Sequence, residues 1–128
     1  MMRRAPLVVV VDDDESVRES LPVLLRLLGF AAESFPSAEE FLASDRLHET
    51  NCLLLDVAMP GMSGPELQKV IALRGIRIPI VFITAHGDRD TRAHLLAQGA
   101  VECLAKPFSE AALLGALDAA LGPVEGPP

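Results

Sequence analysis

Cys52-Leu53-Leu54-Leu55-Asp56-Val57-Ala58-Met59-Pro60-Gly61-Met62-Ser63-Gly64-Pro65 is the stretch that decides the fold of this 128-residue chain. Its apolar run is too short to span a bilayer and reads as a strand buried on both faces. The run ends in one carboxylate, Asp56, and a Pro- and Gly-rich loop follows before the pattern turns helical. An acid in that place lies at the rim of a sheet, where a side chain can do chemistry.

Three other apolar runs end the same way. Leu7 to Val11 stops at Asp12-Asp13-Asp14, Ile80 to Ile83 stops at Thr84, and Val101 to Leu104 leads into Lys106-Pro107. If the strands are parallel, all four polar ends share one edge, and ligands of open α/β sheets bind at that edge where the strand order reverses. Acids, a hydroxyl and an ammonium would converge there.

Between the strands the apolar spacing is helical. Glu15 to Leu28 places Val17, Leu21, Leu24, Leu25 and Leu28 on one side, with Pro22 expected to kink or loosen the helix and Gly29 to end it. Ala31 to Phe35 is a more polar strand, suited to an edge. Ser37 and Glu40 form a capping-box signature for a helix from Ala38 to about Arg46, with a polar loop up to Asn51. Gly64-Pro65-Glu66 opens a third helix that Gly75 closes. Asp88 is placed to cap a fourth, ending at Gly99, and Ser109 a fifth, ending at Gly122. Five alternating strand–helix pairs imply a doubly wound parallel sheet with helices on both faces.

Half of the residues are hydrophobic, which excludes a disordered chain, and the length suits one domain. We expect that domain over residues 1–122, with 123–128 a Pro/Gly-rich tail or a truncated linker. The net charge of -7 argues against direct binding to nucleic acid, since Arg3-Arg4 is the sole basic cluster. Cys52 and Cys103 fall in strands without metal-ligand spacing and read as reduced, buried thiols. No signal-peptide layout or membrane span is legible, so the expected location is the cytoplasm.

Four motifs now stand in order at four strand ends: Val-Asp-Asp (11 to 13), Asp-Val-Ala-Met-Pro-Gly-Met-Ser-Gly (56 to 64), Thr84-Ala85, and Lys106-Pro107-Phe108. Together they resemble the receiver domains of two-component response regulators, from Leu7 to Leu121. Val11 to Arg18 and Thr84 to Asp88 look most like the FixJ-like (LuxR-type) transcription regulators. The resemblance implies a flavodoxin-like (βα)5 fold with strand order 2-1-3-4-5.

It also implies roles. Asp56 is the expected phosphoacceptor, a carboxylate nucleophile toward a phosphoryl group donated by a sensor histidine kinase. Asp12 and Asp13 beside it would make three anions, a grouping that calls for a cation. Mg2+, or Mn2+ in its place, fits an all-oxygen site, with Asp13, Asp56 and the Ala58 backbone carbonyl as direct ligands and Asp12 acting mainly through water. Asp14 is read as a solvated residue at the helix entrance. Lys106 should pair with the phosphoryl oxygens and, before phosphorylation, with Asp56. Pro107 is expected to carry a cis bond that aims it inward. Thr84 would donate its hydroxyl to the phosphoryl group, although its position alone suits a turn-capping hydroxyl equally well.

Cys103 stands where receivers usually carry an aromatic switch residue, and a small core residue without a switching role is the simpler reading of it. Ala58 and His86 flank the route of an attacking water and can tune the phosphoryl lifetime. His48 and His94 read as surface residues. The expected output is a changed helix 4/strand 5 surface, roughly residues 89–104, that controls dimerisation or an output domain. Two other readings compete. A phosphatase of the haloacid dehalogenase type needs an acid where Ala58 stands, and an unphosphorylated docking module would usually lack one of the acids or the lysine. Self-phosphorylation and dephosphorylation are the only catalysis expected.

Overall fold

The computed structural model describes residues 5–85 and 89–122. Arg3-Arg4, His86, Gly87, Asp88 and the expected tail at 123–128 lie outside the described residues. The strands are β1 (Leu7–Val11), β2 (Ala31–Phe35), β3 (Cys52–Asp56), β4 (Ile80–Thr84) and β5 (Glu102–Ala105). The helices are α1 (Glu15–Leu27), α2 (Ala38–Leu42), α3 (Gly64–Leu73), α4 (Arg89–Ala97) and α5 (Glu110–Leu121). All strand pairings are parallel, in the order β2-β1-β3-β4-β5. This is the flavodoxin-like arrangement expected from the alternation.

The central strands are apolar throughout because both sheet faces are covered. Their odd and even residues sort into two cores. Val9, Val11, Leu53, Leu55, Ile80 and Phe82 meet Ala38 and Phe41 of α2, Leu67 and Ile71 of α3, and Leu95 of α4. Val8, Val10, Leu54, Val81 and Ile83 meet Leu21 and Leu25 of α1 and Leu113, Ala116 and Leu117 of α5. A one-residue slip of any central strand would exchange its two sets of neighbours, so packing fixes the register.

Several boundaries differ from the sequence expectation. α2 ends at Leu42, not near Arg46. The Ser44 hydroxyl takes up the Phe41 carbonyl at 2.8 Å and accepts from the Arg46 N–H, a local bonding pattern that competes with helix. The expected polar loop holds a 3-10 turn, Leu47–Glu49, that buries Leu47. β5 starts at Glu102 and includes Ala105. Pro22 is buried and α1 is continuous through it. α3, by contrast, starts at Gly64 as expected, under a full capping box made by Ser63 and Glu66.

The register sets the functional edge. Val11 lies opposite Leu55, Asp56 opposite Ile83, and Thr84 opposite Ala105. Asp12, Asp56, Thr84 and Lys106 therefore end on one rim, beside the reversal of strand order between β1 and β3.

Candidate functional site

Carboxylate oxygens of Asp12, Asp13 and Asp56 lie within 4.8 Å of one another. Asp12 is fully buried, Asp56 is buried and Asp13 is exposed. Both oxygens of Asp12 are engaged. Oδ1 accepts from the Asp14 N–H at 2.9 Å, and Oδ2 accepts from Lys106 Nζ at 3.1 Å. Asp13 is left facing outward beside Asp56. This geometry suits Asp13 to direct ligation and Asp12 to a supporting part.

Burial pushes the Asp56 carboxyl up to about 7, with the negative charge of Asp12 and a hydrogen bond to Asp13 adding to the rise and Lys106 opposing it. Two carboxylates in hydrogen-bond contact must share a proton or a cation. A hard divalent cation with oxygen ligands meets the second need, so the donor set fits Mg2+.

Lys106 was expected to bond Asp56, but its bonded partner is Asp12, and its influence on Asp56 is through charge. The Asp14 N–H holds one Asp12 oxygen and leaves the other for the ammonium. Partial burial works against the Lys106 charge, yet the bond to Asp12 and the charges of Asp12, Asp56 and Asp14 hold its value above the usual one. The Lys106-Pro107 peptide bond is cis. Thr84 is buried at the end of β4, and the Lys106 N–H bonds its carbonyl at 2.9 Å.

Asp14 is exposed, as expected, but it is also the N-cap of α1. Its Oδ1 accepts from the Ser16 N–H and hydroxyl, and those bonds hold its carboxyl below the usual value. Arg18, one turn into α1, donates from Nη1 to the Asp12 carbonyl at 3.0 Å. Gly64 is required by close approach: a Cβ there would press into the Asp56 carbonyl oxygen and the Phe82 ring. Sequence reasoning named neither residue for these tasks, because each depends on how the turn between its strand and helix folds back.

Ala58 is exposed and carries no carboxyl where an aspartate-nucleophile phosphatase needs its acid. Cys103 is buried among the α2–α4 side residues, and burial raises its thiol, as it raises that of Cys52 to about 12. Glu102 beside it accepts from Arg92 Nη2 at 2.6 Å and so ties β5 to α4. His86 lies outside the described residues. His48 and His94 are exposed.

The model of the response regulator receiver domain family matches residues 8–118. The chain belongs to that family. Receiver domains are signalling modules of two-component systems rather than enzymes in the ordinary sense, and this one has transcription regulators among its relatives. The response regulator protein TodT of Pseudomonas putida is 43% identical over 121 residues, covering 94% of this chain and 53% of TodT. Nodulation protein W of Bradyrhizobium diazoefficiens is 46% identical over 114 residues, covering 89% of this chain and 50% of its own length. The transcriptional regulatory protein FixJ of Azorhizobium caulinodans is 41% identical over 113 residues, covering 88% and 54%. This receiver domain thus spans about half the length of the curated relatives it matches. Among solved structures, the response regulator StyR is 51% identical with a TM-score of 0.83, covering 91% of this chain and 59% of StyR. FixJ-N is 36% identical with a TM-score of 0.82, covering 93% and 95%. Among the described residues no helix is long and apolar enough to cross a membrane.

Proposed function

We propose that this receiver domain accepts a phosphoryl group on Asp56 from the phosphohistidine of a sensor kinase and passes the change to its α4/β5 surface. The observation that carries the reading is the grouping of three carboxylates at the strand-order reversal, with Lys106 bonded to one of them. An Asp56 oxygen attacks phosphorus, the P–N bond of the phosphohistidine breaks, and the released imidazole nitrogen takes up a proton. Asp13, Asp56 and the Ala58 carbonyl would hold Mg2+, with Asp12 supporting it through water. The ion supplies neutralisation of the charge on the transferring group.

Lys106 gains a new anionic partner in the phosphoryl oxygens, while Asp12 keeps its bond from Asp14. The Thr84 hydroxyl donates to the same group and draws the loop after β4 toward the site. With Cys103 in place of a bulky switch residue, readout passes through that backbone and α4 to the Arg92–Glu102 pair on the surface. Ala58 and His86 tune the lifetime of the acyl phosphate. Self-association through α4/β5, or control of a DNA-binding domain joined through residues 123–128, is the proposed output, in the cytoplasm.

Acetyl phosphate with Mg2+ tests the reading. A hydroxylamine- and alkali-labile adduct on the peptide holding Asp56, abolished by EDTA, is expected. Labelling elsewhere, or labelling indifferent to EDTA, would overturn it.

A further inference from the structure

The loop from Val57 to Ser63 carries the Ala58 carbonyl and joins Asp56 to α3. Its ends are held by the flanking elements: the Val57 N–H donates to the Ile83 carbonyl of β4, the Gly64 N–H to the Val57 carbonyl, and the Ser63 N–H to Glu66 Oε1 of α3. Among the described residues, one side chain from elsewhere in the fold hydrogen-bonds its interior. Glu39 of α2, 23 residues away, accepts from the Met62 N–H on Oε2 at 3.1 Å.

Gly61 makes that approach feasible. Its φ is 74°, and a Cβ there would lie 2.7 Å from Glu39 Oε2. The glycine serves the turn and leaves room for the carboxylate. α2 is itself well placed for the task. It is capped by Ser37 and follows β2, whose last residue, Phe35, accepts from the Asp12 N–H at 3.2 Å. The β2–α2 junction thus braces both loops that bear the site's carboxylates.

We propose that Glu39 is a positioning residue for the phosphoacceptor site: by holding the Met62 N–H it fixes the loop that presents the Ala58 carbonyl. Glu39 touches no reacting atom. Its influence follows from geometry, since Mg2+ tolerates little departure from octahedral placement of its oxygens and a loosened carbonyl weakens binding. A carboxylate on a backbone N–H is among the stronger hydrogen bonds, and the amide oxygen of glutamine can accept in its place. The inference rests on the reading of the acid cluster given above.

The test measures amide exchange at Met62 and the Kd for Mg2+ alone in wild type, Glu39→Ala, Glu39→Gln, Gly61→Ala and the Glu39→Ala/Gly61→Ala double variant. Glu39→Ala is expected to speed Met62 exchange and raise the Kd, each by about threefold to tenfold, the range of one net hydrogen bond. Glu39→Gln should return both to within about twofold of wild type. Gly61→Ala displaces the carboxylate and should match Glu39→Ala or exceed it, with no further loss in the double variant. Unchanged exchange in Glu39→Ala, failure of rescue by glutamine, or additive losses would overturn the inference. A wild type that binds no Mg2+ would overturn the reading of the acid cluster instead, and the exchange arm would then decide the role of Glu39 by itself.

Discussion

Asp56→Asn should make this domain more stable in the absence of divalent metal, by a margin that grows from about pH 4 and is complete above about pH 7. In the fold the Asp56 carboxyl is raised from the ordinary 3.8 to about 7 by burial, by Asp12 and by Asp13. The folded state therefore binds more protons than the unfolded state between those values. The stability this group contributes is full below about pH 4, declines as pH rises, and is lost once pH passes about 7. At about 1.36 kcal/mol per pH unit the full shift corresponds to about 4 kcal/mol, and relaxation of the three side chains and access of water to exposed Asp13 reduce the realised cost to about 2 kcal/mol. Asparagine removes the charge and keeps the shape. Urea unfolding of wild type and Asp56→Asn in EDTA should show the variant more stable by about 2 kcal/mol at pH 8, with the gap shrinking through pH 5 and nearly closed at about pH 3.5. Excess Mg2+ at pH 8 should close the gap by stabilising wild type more than the variant. A variant no more stable than wild type at pH 8, or equally favoured at pH 3.5, would refute the reasoning.

Lys106→Met leaves the Asp12 carboxylate buried without its counter-charge, and because Lys106 itself is partly exposed the expected loss is about 2 kcal/mol in EDTA, with part restored by Mg2+, read by urea unfolding. Gly64→Ala forces a methyl against the Asp56 carbonyl and the Phe82 ring, so a loss of about 2 kcal/mol is expected in the same assay and should persist with Mg2+. Both thiols are buried and raised, so a disulfide reagent at pH 8 should modify Cys52 and Cys103 quickly in urea and slowly in the folded domain. Rapid labelling of Cys103 in the folded domain would contradict its placement.

The sheet was legible because strands buried on both faces are continuous apolar runs, and their polar ends announce the rim. Helix ends were less legible. α2 stops at Leu42 because the Ser44 hydroxyl captures the Phe41 carbonyl, a choice that Ser and Asp residues leave open in sequence. The carboxylates, Thr84 and Lys106 were placed on the rim from sequence, but the partner of Lys106 was not. Which Asp12 oxygen faces β5 depends on a bond from the Asp14 N–H two residues on. Glu39 carries no local signal, since it meets backbone 23 residues on, and the tasks of Arg18 and Gly64 depend on how the β1–α1 and β3–α3 turns fold back on Asp12 and Asp56. Ser63 did carry one, a Ser three residues before Glu66, but the Gly-Pro pair beside it drew the reading.

Intact mass of wild type and Asp56→Asn after incubation with acetyl phosphate and Mg2+ tests the central claim most directly. The account predicts one added phosphoryl group on wild type, dependent on Mg2+, and none on the variant. A phosphoryl group gained equally by Asp56→Asn, or no gain by wild type while Mg2+ binds and hydrolysis is slowed by cold quenching, would contradict it.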